Sequence, residues 1–349
     1  AVKPTYRLAL LTALAFLLVA PLPLQLHLGH PERSFEMFLT PHRSSAMAMF
    51  GFVYLWYLAA VLVMEIWLDF RKDIVLMSRT APSAMRWIYK LLTLGSQNIS
   101  ERSLQIDDRV GYIVTVVGIP SAFLLHGYVG FIFGSVKANP WWSTPLMPIV
   151  FLFSAISSGI SVVLLIYMAA TRMRRQVLDM RCLDTMGSYL FYLFVIDFTL
   201  EMVDLTHRIY EAGESFQSLD FMVHSRLYFS HIVVQIVLGT LVPLALLGSA
   251  QLWRMSEARR KSVYALSGLL IMTGIFAMRW NVVIGGQLFS KSFLGYTTYK
   301  LEFATREGLL TAILLMILPF IILWALVKLL PPWTTLAHEA AGGRDGGNT

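Results

Sequence analysis

The fold is decided by residues 110–171, VGYIVTVVGIPSAFLLHGYVGFIFGSVKANPWWSTPLMPIVFLFSAISSGISVVLLIYMAAT. Lys137 is the one Asp, Glu, Lys or Arg residue in this stretch. The apolar runs on either side of it are each long enough to cross about 30 Å of hydrocarbon as a helix. They are continuous rather than alternating, which favours helices over the strands of a membrane barrel. The stretch therefore predicts two consecutive transmembrane helices joined by a short turn.

The rest of the chain repeats this pattern. Only 14% of the 349 residues are charged, 56% are hydrophobic, and the mean hydropathy is +0.63. A soluble protein carries about 25% charged residues, so a cytosolic enzyme of two average domains is excluded. We predict an all-α, polytopic membrane helical bundle with eight spans, at residues 8–31, 44–64, 110–136, 138–171, 184–206, 227–253, 262–278 and 308–327.

Basic residues orient the predicted bundle. Of the 28 Lys and Arg residues, 19 fall near the chain ends or on the loops after the second, fourth and sixth spans. The positive-inside rule places those loops and both visible termini in the cytoplasm of a multi-pass inner-membrane protein. The net charge of +7 is thereby explained by topology, and no nucleic-acid partner is expected.

Two segments outside the spans are also interpretable. Residues 82–96 intersperse Trp and Leu with Arg86 and Lys90, which predicts either a helix lying in the cytoplasmic interface or a plain connecting loop. We treat residues 1–333 as one integral membrane helical domain and residues 334–349, rich in Gly and Ala, as a flexible cytoplasmic tail. The chain begins at Ala1 rather than Met, which we expect to be a trimmed or incompletely represented start.

Ionisable residues inside a span are costly and by default indicate function. In the fifth span, Asp197, Glu201, Asp204 and Arg208 recur at i, i+4, i+7 and i+11, so they lie on one helical stripe. A carboxylate at the depth of Asp197 must be paired or protonated, and either state suits proton transfer. The alternative is a salt-bridge ladder of Glu201, Asp204 and Arg208 at the end of the helix.

Other spans place polar residues at the same depth, in the outer half of the membrane. These are His126 in the third span, His231 and Gln235 in the sixth, and Arg279 in the seventh. Each alone could be a hydrogen-bonded core residue. Together they suit an apolar slot for a quinone, which needs a His, Tyr or carboxylate at each carbonyl oxygen.

Metal cofactors fit the sequence less well. The single Cys182 excludes an internal disulfide, a Cys-ligated iron–sulfur cluster and a structural zinc site. His126 and His231 could in principle ligate one haem, but two haems would need more membrane-embedded histidines. We therefore expect neither a haem nor an iron–sulfur cluster in this chain.

Three segments carry a resemblance to a known family. LGHPERSFEMFLTPHRSS (28–45), the stretch from 124 to 161, and MRWNVVIGGQ (278–287) with REGLL (306–310) are similar to the NrfD/PsrC family of polysulfide reductase membrane subunits. The last pair most resembles the DsrP-like branch, linked to sulfur metabolism. Members of the family generally have a further helix before the LGHP-type loop, so we expect the pocket residues named from this sequence to be an incomplete set.

The resemblance implies a non-catalytic-alone subunit of a quinone oxidoreductase complex. It would exchange electrons between menaquinone or ubiquinone and a periplasmic-side, ferredoxin-like iron–sulfur subunit, alongside cytochrome and further membrane subunits. The expected quinone-binding residues are His126, Tyr128, Glu201 and His231. The expected proton-path residues are Asp197, Glu201, Asp204 and Arg279, the last inferred from its charge. A proton-coupled secondary transporter and a purely structural membrane anchor are the alternatives from other classes.

Overall fold

Nine helices form most of the part of the chain that the structure describes, with shorter helical segments such as Phe216–Phe221 between them. The computed structural model describes residues 2–40, 42, 44–211, 216–288, 297–300 and 302–333, with the backbone alone at 217–219. Within these ranges eight helices are long and apolar enough to span a membrane, as predicted, and no strand occurs. They are α1 (Lys3–Leu26), α2 (Ala46–Thr80), α4 (Glu101–Gly134), α5 (Met147–Met173), α6 (Met180–Glu211), α7 (Tyr228–Leu252), α8 (Glu257–Gly285) and α9 (Leu309–Leu329), with a shorter α3 (Ser83–Leu92) between α2 and α4.

Helix α3 confirms that the segment after the second span is helical and not a plain loop. One face is anchored, because Tyr89 is buried, and the opposite face leaves Trp87 63% exposed. Burial raises the pKa of Tyr89, so its hydroxyl stays protonated at neutral pH and donates 2.8 Å to the carbonyl oxygen of Leu329. Its position in the membrane interface stays a prediction, and the predicted tail at 334–349 lies outside the described residues.

The chain divides into two compact units. One contains Phe123–Leu301 with the first three residues, and the other combines Pro4–Ala122 with the described part of Glu302–Thr349. The second unit holds α1, α2, α3, the first part of α4, and α9. Its helices α2 and α4 extend well beyond the predicted apolar spans, α2 continuing to Thr80 and α4 starting at Glu101.

Ion pairs explain these extensions, because the charges that end the apolar runs are satisfied within the unit. Arg71 is 1% exposed and forms a salt bridge with Asp107; it also donates 2.7 Å to the Ser103 hydroxyl. Arg7 pairs with both Asp69 and Asp73 of α2 at 2.7 Å. From the sequence, Arg7 and Arg71 indicate only how the bundle is oriented in the membrane. In the structure they also join helices of this unit through ion pairs.

The first unit contains the end of α4 and helices α5 to α8. Its main core packs α6 against α5, α7 and α8; the fully buried members are Leu164, Cys182, Leu183, Leu190, Leu247 and Ile271. Helices α7 and α8 approach to backbone contact, since a Cβ added at Gly274 would lie 2.6 Å from the Cα of Gly239. Small residues at such a crossing allow two membrane helices to pack closely.

Wide π-helical turns mark the same two helices. They cover Tyr228–Leu241 in α7 and Asn281–Gly285 at the end of α8. Such turns are frequent at functional sites because they re-aim side chains and carbonyl groups. Both segments contribute residues to the cavity described next.

Candidate functional site

A cavity of about 390 Å³ opens among α5, α6, α7, α8, the turn before α5 and the helical segment 216–226 before α7, and we call it the main cavity. Its volume lies in the range of small-molecule sites, about 300–1,000 Å³. Its wall is mostly apolar, with polar groups converging from several elements. The polar and aromatic members are Trp141, Thr144, Glu201, Asp204, Arg208, Asp220, His224, His231, Gln235 and Asn281.

The acidic stripe on α6 is present, but its members have different surroundings. Glu201, Asp204 and Arg208 line the main cavity. Arg208 Nε donates 2.9 Å to Asp204 Oδ2, and Thr144 donates to the other oxygen of that carboxylate. Asp204 therefore fastens α6 to the turn before α5, whereas Glu201 takes no part in this ion pair.

A chain of amide hydrogen bonds joins His231 to Glu201 through Gln235. His231 Nδ1 lies 3.0 Å from Gln235 Oε1, and Gln235 Nε2 points to Glu201 Oε2 at the longer distance of 3.5 Å. Asn281 Nδ2 donates 2.8 Å to Gln235 Oε1, and Asn281 Oδ1 accepts from Ser230 at 2.6 Å. All three contacts are satisfied when the Gln235 side-chain oxygen faces His231 and Asn281 and its nitrogen faces Glu201. The amide therefore has one consistent orientation.

The Trp-containing turn is fixed on the π-helical end of α8. Trp141 Nε1 donates 2.9 Å to the Asn281 carbonyl and Trp142 Nε1 donates 2.6 Å to the Val282 carbonyl. The wider turn leaves carbonyl groups without their usual partner in the helix, and the indoles satisfy them. Trp141 also meets the His231 ring edge-on, with centroids 5.9 Å apart.

Arg279 lies behind the cavity wall rather than on it. Its Nη2 donates 2.7 Å to the Ser154 hydroxyl and 3.0 Å to the Phe151 carbonyl, and the guanidinium stacks 3.7 Å over the Phe151 ring. Its Nη1 has no hydrogen-bond partner among the described residues. The cation interacts electrostatically with both Asp197 and Glu201.

Comparison with known proteins then decides the family. Residues 1–291 match the family model described as polysulphide reductase, NrfD. The chain belongs to the NrfD family. The family resemblance expected from the sequence is thereby confirmed, and with the eight apolar helices it makes this a multi-pass membrane protein.

Individual relatives of this NrfD-family chain are distant. It is 26% identical to the C subunit of the selenate reductase of Mesobacillus selenatarsenatis, over 89% of this chain and 75% of the relative. It is 27% identical to the putative membrane C subunit of a dimethyl sulfoxide reductase of Halobacterium salinarum, over 77% and 58%. It is 28% identical to the protein NrfD of Escherichia coli, over 40% of each chain.

The structure brings together only part of the expected quinone site. Glu201 and His231 share the main cavity and one hydrogen-bond network. His126 and Tyr128 on α4 do not line that cavity: His126 is exposed, and Tyr128 is half-buried against Phe131, 5.4 Å between centroids. Their part in quinone binding stays a prediction.

Several polar groups of the site were not predicted. Trp141, Thr144 and Asn281 line the cavity, yet each lies in a turn or π-helical segment whose packing no periodicity indicates. From the sequence, Trp141 and Thr144 are notable only as part of the stretch 124–161, which resembles the family. In the described part of the chain, no three His, Cys, Asp or Glu side chains are grouped so that they could hold a metal ion.

Proposed function

We propose that this NrfD-family chain is the quinone-interacting membrane subunit of a multisubunit respiratory electron-transfer complex. One observation carries the proposal: the main cavity presents His231 and Glu201 on a single polar network within a mostly apolar wall. Relatives named as reductase subunits, one of them as a membrane subunit, support a role in such a complex.

The main cavity suits a quinone head group. A quinone is a flat, apolar ring with an oxygen at each end, and it needs a polar group at each oxygen inside an apolar slot. His231 and Glu201 stand on different helices, α7 and α6, so they can serve two different oxygens. The Trp141 indole packs edge-on against His231 and fixes the plane of that ring.

The hydrogen bond at His231 selects its tautomer. Gln235 Oε1 can only accept, so the proton of the neutral imidazole sits on Nδ1 and donates to it. Nε2 is then an acceptor, and an acceptor pairs with a quinol hydroxyl rather than with a quinone carbonyl. Neutral His231 therefore favours the reduced form and can take its proton.

Glu201 is the second proton acceptor of the proposal. Quinol oxidation releases two electrons and two protons, and each proton needs a base within hydrogen-bond reach. Burial disfavours the ionised forms of Glu201 and Asp197, and the positive charge of Arg279 nearby offsets part of that cost. Asp204 is less suited to proton transfer because its ion pair with Arg208 favours the salt-bridge alternative at that position.

Electrons would leave through a partner. Because the chain has one cysteine, it cannot build a Cys-ligated cluster. We therefore propose a ferredoxin-like iron–sulfur subunit docked on the periplasmic side, with cytochrome and further membrane subunits in the same complex. The basic-residue bias supports the inner-membrane location with cytoplasmic termini, and the DsrP-like segments support sulfur chemistry.

The experiment is hydroquinone-analogue binding to the assembled complex carrying His231→Ala or Glu201→Gln. We expect affinity to fall about tenfold in each, equivalent to about 1.4 kcal/mol for one charge-assisted or buried hydrogen bond. His207→Ala and Glu211→Gln are matched controls, because both residues are exposed on α6 and lie outside the main cavity. Unchanged affinity in both test variants would reject the site.

A further inference from the structure

A second, much smaller cavity lies beside the main one. Its volume is about 10 Å³, and we call it the small cavity. Its polar lining is Asp197, Glu201, Gln235 and Thr240; its remaining lining is apolar or glycine. Glu201, Gln235 and Met278 line both cavities, so they form the partition between them.

Asp197 reaches this space with an unsatisfied atom. The residue is 2% exposed, and its Oδ1 has no hydrogen-bond partner among the described residues. Leaving a buried polar atom unpaired costs about 1–3 kcal/mol, more for a charged group. The cost is removed if a small polar molecule sits between Asp197 and the other polar groups of the cavity.

The remaining groups can serve such a molecule. The Thr240 hydroxyl donates 2.9 Å to the main-chain carbonyl oxygen of Gln235, so the hydroxyl oxygen is still able to accept a hydrogen bond. Asp197 and Glu201 each offer carboxyl oxygens. A water molecule needs about 10–15 Å³ and two to four polar partners, and the small cavity meets both conditions.

The contact between Gly239 and Gly274 defines the size of the space. Both glycines line the small cavity, and their backbones touch where α7 crosses α8. A side chain at either position would force the helices apart. The geometry admits one water and excludes a larger ligand.

We propose that the small cavity binds a single water molecule that bridges Asp197 to Glu201. This inference rests on the proposed function for its role, which is to carry a proton away from the main cavity. The Glu201 O–H bond breaks as its proton passes to the water, and the water gives one of its own protons to Asp197 Oδ1. No electrons move, and the water is restored.

The first test is a cryo-electron microscopy map of the assembled complex at a resolution that shows ordered water. We expect one solvent peak within hydrogen-bond distance of Asp197 Oδ1, absent in Asp197→Leu, whose side chain fills the space. A map without that peak would overturn the proposal. So would stabilisation of the complex by sodium over potassium and loss of that effect in Asp197→Leu, because the ligand would then be a cation.

A second variant keeps the test open if Asp197→Leu does not assemble. Thr240→Val preserves shape and removes one acceptor, so we expect turnover to slow about fivefold, as for the loss of one hydrogen bond. Thr273→Val on the exposed side of α8 is the control and should leave turnover unchanged. Equal turnover of both variants and the wild type would contradict the role of the water.

Quinone-analogue binding measured on the same samples separates the two proposals. Asp197 and Thr240 do not line the main cavity, so affinity should be unchanged in both variants. If the complex binds the quinone analogue normally but its map has no solvent peak at Asp197 Oδ1, only the water bridge is contradicted. If the solvent peak is present but the main cavity binds no quinone, only the proposed function is contradicted.

Discussion

Gln235 is the residue whose replacement tests the polar network most sharply. Its side-chain oxygen accepts from His231 at 3.0 Å and from Asn281 at 2.8 Å, while its nitrogen lies 3.5 Å from Glu201. Gln235→Leu keeps a side chain of similar volume and removes all three contacts. The perturbation is therefore chemical rather than steric.

The magnitude follows from these contacts. The two bonds of ordinary length contribute about 1 kcal/mol each, and the contact at 3.5 Å is too long to add much. We expect the free energy of unfolding to fall by about 2 kcal/mol. Quinol-analogue affinity should fall about fivefold, because the one bond that holds the His231 tautomer is worth about 1 kcal/mol.

The assay is a titration of the assembled complex with a hydroquinone analogue and with its oxidised form. Loss of the fixed tautomer should weaken the hydroquinone more than the oxidised form. Gln251→Leu is the control, since Gln251 lies on α7 as well, is exposed, and bonds to Ser188 at 3.0 Å. Equal effects of the two substitutions, or equal loss for both redox forms, would refute the tautomer argument.

Three further substitutions test the supporting structure. Gly286→Ala should lower the free energy of unfolding by about 1–3 kcal/mol, because the added Cβ would overlap the Trp142 indole. Gly159→Ala is the control, since its Cβ would enter open space, and it should be neutral or stabilising. Thermal denaturation compares the two variants. Arg71→Met should cost about 2–3 kcal/mol, because it removes the buried guanidinium and leaves the half-buried carboxylate of Asp107 unpaired. Arg109→Met at an exposed position should cost little, and equal melting temperatures of the two variants would contradict this. Tyr89→Phe should cost about 1 kcal/mol by leaving a carbonyl oxygen unpaired, and an unchanged unfolding midpoint would show that this bond does not hold α3 in place.

Much of the fold was predictable because a membrane-spanning helix can be identified from the apolar residues of its own segment. Each of the eight spans is an apolar run, and a run of that length has one stable conformation in lipid. The ends of α2 and α4 were not predictable in this way. Glu101, Asp107 and Arg71 look like loop residues in sequence, and only their pairing in three dimensions allows the helices to continue.

The candidate site was predictable to the extent that it follows helical periodicity. The spacing of Asp197, Glu201 and Asp204 placed them on one stripe, and α6 has that stripe. Periodicity does not show which turn folds over which helix. Trp141 and Asn281 were therefore missed as cavity residues, although they are 140 positions apart in sequence and joined by one hydrogen bond.

Photo-crosslinking of an azido-quinone to the assembled complex tests the central claim most directly. We predict that labelled peptides come from the main cavity, around Trp141, Glu201 and His231, and that an excess of unmodified quinone competes the label away. Labelling confined to the part of α4 around His126 and Tyr128, with none at the main cavity, would contradict that claim.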